Sequence, residues 1–320
     1  MSLTRRQFAL TLAAAAALPL PAWASGAPLS VVATTGMIAD AARVIGGDLV
    51  EVRALMGPGV DPHAYRQTRT DIVAMTRADL VLWHGLYLEA QMQDFMHDLA
   101  RKRRVVAVAE ALPRDLLRGH DDYADKFDPH VWMVPGLWSR VTEAVEAALV
   151  AARPEAAEIF AANAARYRAD LARVGDYATR TLSAVPADAR VLITAHDAFG
   201  YFGAAYGFEV LGIQGISTES EAGLARVRDM VDLLVSRRIG AVFVESSVSD
   251  RNVRALIEGA AARGYTVRIG GELFSDAMGP EGTYEGTYVG MIDHNATVIA
   301  GALGAGVPAR GMDGKLSAGS

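Results

Sequence analysis

Asp-Pro-His occurs twice in this chain, in VDPHAY at residues 60–65 and in FDPHVW at residues 127–132. The 320 residues include seven histidines and no cysteine. Thiolate metal sites, disulfides and cysteine nucleophiles are therefore excluded, and a soft-metal site would have to be built from imidazoles and carboxylates. A proline fixes its own φ and restricts the residue before it, so His63 and His130 each leave a stiff turn in a defined direction. His196, in TAHDAF, shares their setting, because it follows a strand pattern and has an acidic neighbour, Asp197, as His63 has Asp61 and His130 has Asp128. One such turn with a solvated histidine is ordinary; three point to a shared cation. His84 closes the strand pattern DLVLWHG, at the sheet edge where ligands bind, and reads as a packing residue, the alternative being that it lines the cleft or supports a ligand. His97 and His294 fall inside helical patterns and read as surface or packing residues.

The elements that must position these side chains alternate. LSVVATT, VEVRALM, DLVLWHG and RVVAVAE read as buried strands separated by helical patterns such as MIADAARVIGG and LEAQMQDFMHDLA. The same grammar restarts at Ala189 with RVLITAH, FEVLGIQG, IGAVFVES and TVRIGG, now separated by RVRDMVDLLVSRR and DRNVRALIEGAAARG. The expected fold is α/β: two α/β lobes with mostly parallel sheets. Between them, residues 154–185 begin with proline, keep apolar residues at helical spacing and contain one glycine, Gly175. A single rigid helix of about 48 Å is expected there, which limits how far the lobes can hinge. The expected boundaries are 25–153 for the N-terminal lobe, 154–185 for the linker helix and 186–320 for the C-terminal lobe.

A chain that is 51% hydrophobic and 21% charged can bury sizeable cores, and its net charge of −6 disfavours nucleic acid and anionic membrane as partners. Residues 1–24 have the form of a signal peptide: Arg5 and Arg6, an apolar run from Phe8 to Leu20, then Ala22-Trp23-Ala24 as a small-residue cleavage site. The run is too short to span a bilayer. LTRRQFAL is twin-arginine-like. With no cysteine to carry a lipid, a mature protein free in the periplasm is expected.

GVDPHAYRQTRTDI, DPHVWMVP, TAHDAFGYFGAAYG, GAVFVESSVSDRNVRAL and LFSDAMGPEGTYEGTYVGMIDHN, in this order, resemble the periplasmic zinc and manganese solute-binding proteins of ABC transporters, the cluster 9 or ZnuA/TroA-like family. The resemblance covers nearly all of the mature chain. It implies two α/β lobes joined by one long helix, with a metal ion held between them by His63 and His130 from the N-terminal lobe and His196 and Asp276 from the C-terminal lobe. It also implies a binding protein rather than an enzyme, monomeric, delivering its ion to a membrane permease. Four protein ligands would close a zinc tetrahedron and leave no position for a reactive water. Asp61, Asp128, Asp197 and Glu245 are the candidates to orient the ligating rings. Three nitrogens and one carboxylate suit Zn2+, with Mn2+ as the alternative; many manganese-binding relatives carry glutamate where this chain has His196. Many zinc-specific relatives also carry a long His-rich loop, replaced here by LLRGHDDYADKFD. His120, Asp121, Asp122 and Asp125 in that stretch are expected to form a solvated loop, the alternative being a weak secondary metal site.

Two functions of other classes compete. A mononuclear zinc hydrolase would use three histidines, a metal-bound water and Glu245 as general base, but no His-Glu-x-x-His helix is present. An exported adhesin would need a large exposed apolar patch.

Overall fold

The structure is a computed structural model that describes residues 27–119 and 126–317. The signal peptide and the His120, Asp121, Asp122 and Asp125 stretch lie outside the described residues. The first half builds β1 (Leu29–Ala33), α1 (Gly36–Gly46), β2 (Val50–Ala54), α2 (Arg69–Arg77), β3 (Leu80–Trp83), α3 (Gln93–Ala100) and β4 (Val105–Ala107). Its strands pair in parallel in the order β2-β1-β3-β4. All four residues of β3 are buried, as expected of an inner parallel strand covered on both faces, whereas edge strand β2 alternates between exposed and half-buried positions.

Helix α4 (Pro135–Ala152) leads into α5 (Ala157–Ser183), and the second half follows with β5 (Val191–Thr194), α6 (Gly200–Tyr206), β6 (Glu209–Gly212), α7 (Leu224–Arg237), β7 (Ala241–Glu245), α8 (Arg251–Ala261), β8 (Arg268–Leu273) and α9 (Tyr288–Ala302). The strands are parallel here too, but they form two ladders, β5-β6 and β7-β8, rather than one continuous sheet. β5 and β7 still lie side by side. Gly212 ends β6 beneath the His196-Asp197 turn, where a Cβ would come within 2.5 Å of the Asp197 backbone nitrogen. Only glycine permits that approach.

The linking helix is shorter than the sequence pattern suggests. Pro154–Ala156 form a 3-10 turn, and α5 itself has 27 residues, about 40 Å. Pro186 restricts Val185 and so helps to end it. Its buried stripe, which includes Phe160, Ala164, Tyr167, Leu171, Val174, Ala178 and Leu182, recurs every three or four residues. The Tyr167 hydroxyl donates to Asp40 of α1 at 3.0 Å, and the Tyr177 hydroxyl meets that of Thr297 in α9 at 2.8 Å. Asp40 also accepts from the backbone N–H of Tyr288 at the start of α9. One apolar cluster thus continues from β1 and α1 through α4 and α5 into α9, with separate clusters beneath the outer face of each sheet.

Leu171 is fully buried in α5, whereas Ile159 of the same helix is 45% exposed. Leu171→Ala is expected to cost about 3 kcal/mol through lost burial and a residual cavity, and Ile159→Ala less than about 0.5 kcal/mol. Urea unfolding with chelator present, so that no bound ion adds stability, measures both.

Candidate metal centre

Each histidine of the predicted set stands where a strand or its following loop reaches the cleft. His63 lies between β2 and α2, His130 between β4 and α4, and His196 two residues beyond β5; Asp276 follows β8. All four are at most 2% exposed, and one ligand-type atom from each falls within 4.8 Å of the others.

The spacings are those of a small coordination polyhedron. His63 Nε2 and His130 Nε2 are 3.3 Å apart, and His196 Nε2 is 3.4 Å from His130 Nε2. Asp276 brings Oδ1 to 3.4 Å from His130 Nε2 and Oδ2 to 3.2 Å from His196 Nε2, with His63 Nε2 farther off at 4.0 Å. A tetrahedron with bonds of about 2.0–2.2 Å has edges of about 3.3–3.6 Å, so most of these separations are those of donors around one such centre.

Carboxylates behind two of the rings fix which nitrogen faces inward. Asp128 Oδ1 lies 2.7 Å from His130 Nδ1 and accepts from the His130 backbone N–H at 2.9 Å. Glu245, the last residue of β7, does the same for His196, 2.5 Å from Nδ1 and 2.9 Å from the backbone nitrogen. With Nδ1–H donating outward, each Nε2 offers its lone pair to the centre. Asp61 acts differently from the expectation. Its Oδ1 accepts from the His63 backbone N–H at 2.8 Å and its Oδ2 from the Thr218 hydroxyl at 2.5 Å, so it braces the turn. A short side chain two residues ahead of a histidine meets that residue's N–H first, as in an Asx turn. His196 takes its ring partner from Glu245, not from the adjacent Asp197.

His84 lies behind the site, its Nε2 2.8 Å from the Pro129 carbonyl oxygen and its ring edge-on to Trp132. It therefore supports the second Asp-Pro-His turn. His97 is exposed in α3 and His294 is packed on Phe274, both away from the cluster. Trp132 was not singled out in the sequence. Its indole N–H donates to the Ser275 carbonyl at 2.7 Å, joining the loop that carries His130 to the loop that carries Asp276. The signal for it was present, since Trp132 ends the FDPHVW stretch and a buried indole N–H needs an acceptor.

Electrostatically the cluster is held together by protons when no ion is bound. Burial alone would lower the His130 imidazole, but Asp128 and Asp276 beside it push it up to about 9. His196 is likewise raised, burial being outweighed by Asp276 and Glu245. Burial lowers His63 to about 3, so its ring is neutral and ready to ligate. Burial would raise Asp276, yet His196 and His130 hold it well below the usual carboxylate range.

Ligation requires neutral imidazoles, so the protons on His130 and His196 must leave when an ion binds. Near pH 7 about two protons are expected to be released per ion, and affinity is expected to rise with pH, with His130 losing its proton near pH 9. Calorimetric titration in buffers of different ionisation enthalpy measures the release directly. Glu245→Gln is expected to weaken metal binding ~10–100-fold, the usual effect of removing a carboxylate that orients a ligating ring.

Residues 31–302 match the family described as zinc-uptake complex component A, periplasmic, or ZnuA. The manganese-binding lipoprotein MntA of Bacillus subtilis (strain 168) is 48% identical over 275 residues, covering 86% of this chain and 90% of that protein. The zinc-binding protein TroA of Treponema pallidum (strain Nichols) is 46% identical over 280 residues, covering 88% of this chain and 90% of that protein. The solved structure of the periplasmic zinc-binding protein TroA from Treponema pallidum superposes with a TM-score of 0.84 at 45% sequence identity, covering 86% of this chain and 99% of that one. The iron-binding protein YfeA of Yersinia pestis is 31% identical over 274 residues, 86% of each chain. Sequence and fold agree over the same span, and this chain belongs to the ZnuA family of metal solute-binding proteins, which are not enzymes.

Proposed function

We propose that this protein captures one zinc ion between its lobes with His63, His130, His196 and Asp276, and delivers it from the periplasm to the permease of an ABC importer. The observation that carries the reading is the set of buried donors at tetrahedral spacing, three of them imidazole nitrogens. A borderline, nitrogen-rich set suits zinc. A four-ligand site gives no position to an activated water, and Glu245, the candidate general base of a hydrolase, is engaged with His196 on the side away from the ion. The family acts with ABC permease and ATPase components, which supports transport as the outcome of binding. No described helix is long and apolar enough to cross a membrane, and the chain has no cysteine to carry a thioether-linked lipid.

Manganese is the second reading, and one observation favours it. Both oxygens of Asp276 face ring nitrogens, at 3.4 Å and 3.2 Å, so a bidentate carboxylate would raise the coordination number toward what manganese prefers. The relatives named above for manganese and zinc are 48% and 46% identical.

Purified protein is expected to hold one tightly bound ion per chain. His63→Ala and His196→Ala are each expected to weaken it by more than about 100-fold, since loss of an outer partner alone commonly costs ~10–100-fold. His97→Ala should leave it unchanged; equal losses from His97 and His63 substitutions would put the site elsewhere. Metal choice is read in cells, because the divalent affinity order favours zinc over manganese in vitro at almost any such site. A deletion strain is expected to be limited for zinc under chelation and rescued by zinc. Rescue by manganese alone would reverse the metal and leave the ligands standing.

A further inference from the structure

A cavity of about 400 Å³ opens beside the donor cluster. Buried Thr35 and Asp276 lie in its inner wall, and exposed Arg43 and Arg53 in its outer wall. α1 starts at this inner end. Thr35 is its N-cap, but the side chain caps nothing: the hydroxyl is buried and has no hydrogen-bond partner. Threonine at this position ordinarily accepts from the N–H of the second or third helical residue. The first-turn N–H groups of the helix have no partner within it either, and no acidic residue in that turn offsets the positive end of the helix dipole. The result is a lined cavity with unused donors at its inner end and two guanidiniums farther out.

Those features select an anion with separated charges. Gly36 and Arg43 are seven residues apart on one helix, a rise of about 10 Å, and helical side chains lean back toward the N-terminus. A compact anion fills one end only, whereas a dicarboxylate can meet both. Arg43 Nη2 donates to the Val52 carbonyl at 3.3 Å, and Arg53 pairs with Asp71 at 3.4 Å while its side chain is 52% exposed. Glu281 also lines the cavity and, with Asp276, opposes an anion. A dication on the four donors cancels the opposition from Asp276.

We propose that this cavity binds a small polycarboxylate of the dicarboxylic or hydroxycarboxylic acid class alongside the bound ion, one carboxylate at the Thr35 hydroxyl and the α1 N-terminus, another toward Arg43 and Arg53. The inference rests on the metal-binding reading above. Polycarboxylates ligate divalent cations in solution, so the ion and its anion can arrive together. Any coupling between the adjacent ion and anion is reciprocal, each changing the other's affinity by the same factor.

The test is calorimetric titration of the zinc-loaded protein with malate, zinc content being measured in the same samples, and with inorganic phosphate as a second probe. Saturable binding of one malate per chain is expected, weakened about tenfold in Arg53→Gln and in Thr35→Val, the loss of one charge-assisted or buried hydrogen bond. Zinc content should stay at one per chain in both variants, since neither residue is a ligand. Zinc-loaded protein without saturable malate binding, malate binding unchanged in both variants, or phosphate bound more tightly than malate would each overturn the proposal. A wild-type chain that takes up no divalent metal would sink the functional reading and this inference with it; metal uptake without malate binding sinks this inference alone.

Discussion

Three imidazoles and a carboxylate with donor atoms within 4.8 Å of one another, all buried, are costly to hold together. They persist because the charge at the centre can be kept constant. Without an ion, protons on His130 and His196 offset two of the three negative charges on Asp276 and the outer carboxylates Asp128 and Glu245; when a dication arrives, two protons leave and the buried charge does not change. Without compensation of this kind, a cluster of bare carboxylates or of bare imidazoliums would repel itself apart. The outer carboxylates therefore do two things at once: they orient the rings and supply counter-charge to whichever cation, proton or metal, is present.

The frame around the cluster has to hold four donors that come from distant parts of the sequence. It does so by continuing one apolar core through both halves: α5 touches α1 through Tyr167 and α9 through Tyr177, and α9 touches α1 through Asp40. Helices packed in that way do not swing freely, so the lobes share a nearly fixed relation at the back. At the front, side-chain hydrogen bonds tie loops of one half to the other, and the Tyr201 hydroxyl donates to the Asp128 carbonyl beside His130. Trp132 to Ser275 and Thr218 to Asp61 are among them.

Local pattern carried much of this. Each of the eight strands among the described residues overlaps one of the short apolar runs in the sequence, and the two Asp-Pro-His turns are visible because proline stiffens them. What the sequence concealed is pairing over long range. Nothing local tells that β6-β5 and β7-β8 form separate ladders, or that Glu245 rather than the adjacent Asp197 meets the His196 ring. Asp276 in SDAMG, taken alone, reads as a turn aspartate; the family resemblance marks it as a ligand, and the fold brings it to His130 and His196. Asp61, one of four candidates to orient a ring, has its carboxylate satisfied instead by a backbone N–H and a hydroxyl from the other lobe.

The donor set alone leaves metal choice underdetermined, because relatives of nearly equal identity carry the names of different metals. Selectivity must then depend on how far the polyhedron can relax. His130 and His196 are locked at both ring and backbone by Asp128 and Glu245, so neither can yield without losing two bonds. His63 is braced by Asp61 through its backbone, and its Nε2 stands 4.0 Å from Asp276, farther than His130 at 3.4 Å and His196 at 3.2 Å. A larger ion with more oxygen ligands would be accommodated by moving His63 outward and turning Asp276 bidentate. A smaller tetrahedral ion would draw the same histidine in. Of the three histidines, His63 is the one whose turn is braced by a carboxylate that is itself tied to Thr218 across the cleft, so any movement of that ring works against a bond between the lobes.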